Sequence, residues 1–427
     1  MFLSYEQALE YLYSNLAVFH RVGASAYKKD LTNTLALCAA VGNPQRAFKS
    51  IHVAGTNGKG STSHMLASIL QSAGYTTGLY TSPHLKDFGE RIRINGAEIS
   101  HAFVVDFVNR IRPVVEEVQP SFFETTVAMA FDYFAQRSID VAVIEVGLGG
   151  RLDSTNIITP ELSVITNISW DHKDLLGDTL EKIAYEKAGI IKPGVPVVVS
   201  ERQADVAHVF ERQARLCDSS ILFASDLYRM EKDGMGFGIF KDNDRVLSVD
   251  SFPLQGGYQR RNVPGVIAAV DALRRQGFMI TDEALVRGFR EVTTLTGLKG
   301  RWQVLGQRPF TVCDTGHNED GVREVISHIA SLSFRKLHMV WGCVADKDIT
   351  AILALLPKDA NYYFCQANLP RALDAYALAA QAGALGLRGV VVPDVNEALQ
   401  RAQAAASEED MIFIGGSTFV VAELENL

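Results

Sequence analysis

The chain has 427 residues, 47% of them apolar and 21% charged, a mix that excludes a disordered, collagen-like or coiled-coil protein. Gly and Pro number 34 and 13, too few for a low-complexity chain. Forty-one Lys and Arg against 49 Asp and Glu give a net charge of −8, which argues against a general nucleic-acid binder but allows a local cluster that grips a small anion.

At ~150 residues per domain the length suggests two or three domains. No run reaches the ~18 apolar residues of a membrane span. Residues 1–6 hold no basic stretch and no long apolar stretch follows, so no signal peptide is expected. The five cysteines, Cys38, Cys217, Cys313, Cys343 and Cys365, are odd in number and form no CxxC pair. Reduced thiols in a cytoplasm fit that usage better than a disulfide framework or a zinc site. The acidic charge, with no large apolar stripe beyond the core, makes a monomer the default.

In chain order, Ser4 caps a helical spacing of Tyr5, Leu9, Leu12 and Leu16, which predicts a helix over 4–17. Residues 49–53 read as a strand. The loop Gly55-Thr56-Asn57-Gly58-Lys59-Gly60-Ser61 follows. Met65, Leu66, Ile69 and Leu70 then mark a helix over 61–73, ended by Gly74. A strand begins in 75–80, and 122–134 is helical. The apolar runs 141–146 and 162–168 have the bounds of buried parallel strands. This alternation predicts an α/β domain with a mostly parallel sheet. Around 227–250, Gly234, Gly236, Gly238 and Asp242-Asn243-Asp244 predict a β-hairpin. A helix over 262–276 follows, then a linker over 293–300. Strand-like runs at 310–313, 337–341, 362–365, 390–392 and 411–414, separated by helical patterns, predict a second α/β domain of about 127 residues. The Ala-rich stretch 375–405 reads as two helices. The expected division is 1–296 and 297–427.

The glycine-rich loop is the strongest chemical signal. Glycines let backbone N–H groups point at phosphate oxygens, and the following helix adds its positive end. Lys59 has the reach for the outer phosphates, and Ser61 has a hydroxyl for Mg²⁺. The fit to the P-loop pattern is imperfect, with Val53 where its first Gly stands and Gly60 between Lys59 and Ser61. Glu145 ends an apolar strand, where the sheet's ligand crevice lies, and with the loop it reads as an Mg²⁺ ligand. His172, in Ser169-Trp170-Asp171-His172, is either a metal ligand or a satisfied loop histidine, the plainer reading. Lys187 stands near a helix end, where a lysine ordinarily complements the dipole. Asp314-Thr315-Gly316-His317-Asn318 is a turn by default.

Taken together, His52 through Ser61, Thr81-Ser82-Pro83-His84-Leu85, the run from Glu145 through Gly149, Arg151 and Asp153 to Asn156, Asp171-His172, the run from Glu186 to Pro193, and Asp314 to Asn318 occur in one order. The pattern resembles the bacterial folylpolyglutamate synthase/dihydrofolate synthase family of Mur-ligase-like amide ligases. The resemblance implies a P-loop-containing, mostly parallel sheet domain followed by a smaller Rossmann-like α/β domain. It implies that ATP phosphorylates a substrate carboxylate and that L-glutamate then displaces phosphate, on dihydropteroate or on the γ-carboxylate of a reduced folate. By matching position, Gly55, Thr56, Asn57, Gly58, Lys59, Gly60, Ser61 and Thr62 would hold the nucleotide, with Arg301 and Asp314 from the second domain. Ser61, Ser82, Glu145 and His172 would complete two Mg²⁺ sites, with a monovalent cation such as K⁺ as a further cofactor. Lys59, Lys187 and His317 would be catalytic, Lys187 as a carbamate. Phe122, Phe123 and Asp153 would meet the pterin-bearing substrate. The chain departs from the family at Thr315, Gly316 and Glu319, and has Lys299-Gly300-Arg301 where Pro-Gly-Arg is usual. A peptidoglycan-precursor ligase would carry Thr at the Gly60 position and more chain before the loop; a nucleotide switch would bind ATP without folate-dependent ADP release.

Overall fold

Lys49–Ala54 is buried at five of its six positions, as a strand covered on both faces requires. It is β1 of the structure, a computed structural model that describes residues 4–18, 30–345 and 349–427. With it run β2 (Thr77–Tyr80), β3 (Ile92–Ile94), β4 (Ala97–Glu98), β5 (Val141–Glu145), β6 (Leu162–Ile165), β7 (Val197–Val199) and β8 (Ile221–Phe223). They form one sheet in the order β4-β3-β2-β5-β1-β6-β7-β8. The pairs from β2 to β8 are parallel; β3 and β4 add an antiparallel edge. Val53 pairs with Glu145 and Ala54 with Ile165, so three strand ends converge where β1 gives way to the glycine-rich loop. Ligands bind in that position in open α/β sheets.

The expected helix at the start is Tyr5–Asn15, with Ser4 and Gln7 forming a capping box. It packs with Thr32–Ala40, His101–Val118 and Phe122–Gln136 into one apolar cluster against the sheet. Leu180–Ala188 and Ala207–Leu216 bury a second cluster. Two expectations change here. The strand expected over 162–168 ends at Ile165, because Thr166 and Asn167 leave the sheet to bond the loop. The hairpin expected around 227–250 is a three-stranded antiparallel sheet, β9 (Tyr228–Asp233), β10 (Gly236–Lys241) and β11 (Asp244–Val249), because Gly234 and the pair Asp242-Asn243 each make a turn.

The polar stretch 293–300 is not an irregular linker at its start. Val292–Thr296 is a short helix, stopped by Gly297 in the left-handed conformation. The chain forms two compact units, residues 1–253 with 259–297, and residues 254–258 with 298–427. The second unit carries a six-stranded sheet, β12 (Gln303–Gln307), β13 (Phe310–Cys313), β14 (Leu337–Trp341), β15 (Asn361–Phe364), β16 (Gly389–Val391) and β17 (Met411–Gly415), in the order β12-β13-β17-β14-β15-β16. Only β12 is antiparallel. Two helices, Ala375–Ala384 and Val395–Ala405, account for the Ala-rich stretch. Among the described residues no helix is long and apolar enough to cross a membrane.

Candidate active site

The loop after β1 is held by contacts from the segment that follows β6. Thr56 N–H donates to Asn167 O at 2.8 Å, and Asn57 N–H to Asn167 Oδ1 at 3.0 Å. Ser169 Oγ accepts from the Asn57 amide at 3.2 Å, and Thr166 Oγ1 donates to Asn57 O at 2.5 Å. Gly55 has φ +144° and Gly58 has φ +84°, conformations a side chain resists. A Cβ on Gly55 would strike Thr166 Oγ1, and one on Gly58 would strike Asn262 Oδ1. The helix Lys59–Ser72 starts at once, so its positive end lies at the loop.

Lys59 Nζ folds back on the loop, donating to the carbonyls of Gly55 and Thr56 at 3.1 Å each. Lys187 Nζ reaches the same Gly55 carbonyl at 2.9 Å from the last turn of Leu180–Ala188. Two amines therefore converge on one oxygen. Lys187 is buried, and burial, reinforced by the Lys59 ammonium, lowers its pKa to about 7. That differs from the solvated, helix-complementing lysine of the plainer reading.

Ser61 and Thr62 are fully buried, and Ser61 Oγ accepts from Gln259 at 3.2 Å. Gln259 in turn accepts from Asn262 at 2.9 Å. Gln259, Asn262, Thr166, Asn167 and Ser169 thus support the loop, and of these only Ser169 falls in a motif the sequence shows. Gln259 and Asn262 stand some 200 positions from the loop, beyond any spacing rule, whereas a polar pair directly after the apolar run 162–165 is a visible signal. Glu145 is buried at the end of β5 and accepts from Ser82 N–H at 3.3 Å, which brings those two residues together. His172 has φ +49°, and its Nε2 lies 3.8 Å from Asp171 Oδ2.

Asp153 is buried and committed to its own loop. Its carboxylate accepts from Leu148 N–H at 2.8 Å, Thr155 N–H at 3.0 Å and Thr155 Oγ1 at 2.5 Å, while burial raises its pKa. Phe122 is a core residue, stacked on Tyr13 with 5.1 Å between ring centres and lying under the Arg91 guanidinium. Phe123 packs on Gly147, which follows Glu145 in the next loop.

The second unit holds its own polar cluster. Asp314 Oδ2 accepts from Tyr258 Oη at 2.6 Å and from Trp302 N–H at 2.8 Å; Oδ1 accepts from Gly316 N–H at 2.8 Å. Burial raises the Asp314 pKa, and burial with the Asp314 charge pushes the Tyr258 phenol well above its usual range. Arg301 donates to Thr315 Oγ1, and His317 Nδ1 lies 3.0 Å from Thr315 O. Arg301, Asp314 and His317 thus gather around residues 314–316.

The first-unit site suits a polyphosphate with a divalent cation. Gly55 and Gly58 let Thr166 and Asn262 close on the loop, Ser82 and Glu145 come together, and Ser61 and His172 are further side chains of the kind that could hold a divalent cation. Among the described residues no three His, Cys, Asp and Glu side chains form a ready metal cage. A cation held by few protein donors, with phosphate and water completing the shell, is the habit of Mg²⁺.

Residues 53–270 match the Mur ligase middle domain, and residues 300–418 the Mur ligase glutamate ligase domain. The fold and site therefore define a Mur-type ligase, an ATP-dependent enzyme class. A Bacillus subtilis dihydrofolate synthase/folylpolyglutamate synthase is 34% identical over 390 residues, 87% of each chain. The chain belongs to the folylpolyglutamate synthase/dihydrofolate synthase family. The structure of Escherichia coli FolC in complex with DHPP and ADP superposes with a TM-score of 0.85 at 29% identity, over 98% of this chain and 96% of that one. The chain spans about half the length of a Halobacterium salinarum relative, a probable bifunctional folylpolyglutamate synthase/dihydropteroate synthase, with 34% identity over 93% of this chain and 49% of that protein.

Proposed function

We propose that the chain uses ATP to join L-glutamate to dihydropteroate or to the γ-carboxylate of a reduced folate. A substrate carboxylate oxygen attacks the γ-phosphorus and ADP leaves, giving an acyl phosphate. The glutamate amine then attacks the acyl carbon, phosphate leaves and the nitrogen loses a proton. The observation that carries this reading is the convergence of Lys59 and Lys187 on the Gly55 carbonyl of the glycine-rich loop. A phosphoryl donor and a carboxylate are both anions, so their approach demands positive charge and fixed geometry.

In this reading the loop from Gly55 to Thr62 seats the phosphates, with Thr56 and Asn57 held in place through Asn167 and the N–H groups at the start of the helix turned to the anion. Lys59 swings from its carbonyls to the transferring group. Ser61, Ser82, Glu145 and His172 would hold Mg²⁺ at two sites, with a monovalent cation such as K⁺ as a further cofactor. When bound, Mg²⁺ supplies Lewis-acid neutralisation of the phosphoryl oxygens. Arg301 and Asp314 hold the nucleotide from the second unit and His317 acts in the chemistry. Phe122 and Phe123 border the pterin-bearing substrate, and Asp153 fixes the loop against it. Lys187 is half neutral near pH 7, and a neutral amine adds to CO₂ and releases a proton. The resulting carbamate is an anion able to face metal, which gives a buried lysine beside Lys59 a purpose.

Purified protein with ATP, Mg²⁺, L-glutamate and either dihydropteroate or tetrahydrofolate should release ADP only when every component is present. No ADP with either pterin substrate overturns the proposal.

A further inference from the structure

The chain leaves the first unit at Gly297, and the turn before it is fastened from two directions. One fastening comes from the helix of the phosphate loop. His64 lies five residues after Lys59 and is buried; its Nδ1 is 2.8 Å from Thr296 Oγ1. Thr296 Oγ1 is also 2.5 Å from Val292 O. A hydroxyl has one proton and a carbonyl only accepts. Thr296 therefore donates to Val292, and His64 Nδ1 carries the proton given to Thr296. One helical turn beyond His64, Ser68 Oγ donates to Gly288 O at 2.8 Å, a second tie between this helix and the segment leading to the turn.

The other fastening comes from β3 and β4, which follow the loop bearing Ser82. Their turn, at Asn95-Gly96, presses so closely on the Leu295 carbonyl that a Cβ on Gly96 would collide with it. Arg93 donates to Gly96 O at 3.0 Å and pairs with Glu98 at 2.8 Å. Its Nη1 also lies 3.0 Å from the point where a Cβ of Gly297 would stand.

We infer that His64 and Arg93 are positioning residues for the ligation, tying the turn at 295–297 to the phosphate-loop helix and to the strand after the Ser82 loop. This rests on the ligase reading, in which Arg301, Asp314 and His317 act from the second unit. The turn from which the chain leaves for those residues is held jointly by a nucleotide-side element and an element on the Ser82 side. Neither side chain touches ATP in this account. Their loss lowers the reaction step and leaves nucleotide binding intact.

The test uses the full chain with three variants, His64→Leu, Thr296→Val and Arg93→Met. Each should lose roughly 10-fold in kcat while KM for ATP and the calorimetric Kd for ADP stay within about 3-fold. His64→Asn, whose amide replaces the Nδ1 donor, should recover most of the kcat. The double variant His64→Leu/Thr296→Val should be no worse than either single one. Thr296→Val is nearly isosteric and keeps the test alive if His64→Leu fails to fold. Wild-type kcat in Thr296→Val, or a loss of ADP affinity equal to the loss of kcat, overturns the inference. A wild-type enzyme with no glutamate-dependent ADP release would instead overturn the ligase reading on which it stands.

Discussion

Replacing Lys187 by methionine should stabilise the protein while destroying its turnover. The folded-state pKa of about 7 against the ordinary 10.5 means that burial opposes the ammonium. A tenfold change in proton affinity is worth about 1.4 kcal/mol, so at pH 7 the folded chain bears a cost of about 4 kcal/mol from this group. The Lys187–Gly55 hydrogen bond returns about 2 kcal/mol. A methionine side chain in this place would fill nearly the same volume without the charge, leaving a net gain of about 2 kcal/mol. The sign with pH follows from the lowered pKa. Between pH 7 and 10.5 the unfolded chain holds a proton that the folded chain has released, so wild-type stability rises with pH across that window. The variant lacks this slope, and its advantage should shrink as the pH rises from 7 toward 10.5. Urea unfolding in CO₂-depleted buffer at several pH values measures the gap; ADP release measures turnover. A Lys187→Met protein less stable than wild type at pH 7, or a gap that does not change with pH, refutes the reasoning.

Lys59→Ala should abolish turnover with an unchanged far-ultraviolet spectrum, because the lysine amine donates to two loop carbonyls and takes no part in a helix or sheet ladder; retained activity would contradict its phosphate role. Gly58→Ala should cut ATP affinity at least ~10-fold by calorimetry, because the new Cβ meets Asn262 at a positive φ. His52 is buried against Thr155 Oγ1 at 2.8 Å, and burial lowers its pKa to about 3. Between pH 6.5 and 3 the unfolded chain takes up a proton the folded chain refuses, so this group should cost about 3 kcal/mol of stability between pH 7 and about pH 4.5. His52→Asn should lose less over that range; equal losses in urea midpoints would refute this. Intact-protein mass spectrometry under CO₂-replete, non-acidic conditions should show the carbamate mass on wild type and not on Lys187→Met.

The parallel core strands β5 and β6 are legible in the sequence because they are apolar runs bounded by Gly, Pro or Asp. The loop at 55–61 is legible because its glycines, lysine and serine sit between a strand and a helical stripe. The edge strands β3 and β4 escape a sequence reading, since Arg93 and Glu98 interrupt any apolar pattern and pair only across the turn. The end of β6 is hidden because Thr166 and Asn167 serve the loop, a tertiary demand that outweighs local strand preference. The burial that unsettles Lys187 depends on separated segments packing over it, and no local pattern encodes that. The bonds of Asp153 to Leu148 and Thr155, which fix its loop, are likewise invisible in the sequence.

At the centre stands the claim that the cradle after β1 transfers the terminal phosphoryl group of ATP to a carboxylate. Dihydropteroate labelled with ¹⁸O in its carboxylate, turned over with ATP, Mg²⁺ and L-glutamate, tests this directly. One labelled oxygen should appear in each phosphate released, read as an isotope shift in the ³¹P spectrum. Phosphate free of label, or labelled AMP with release of pyrophosphate, would contradict the claim.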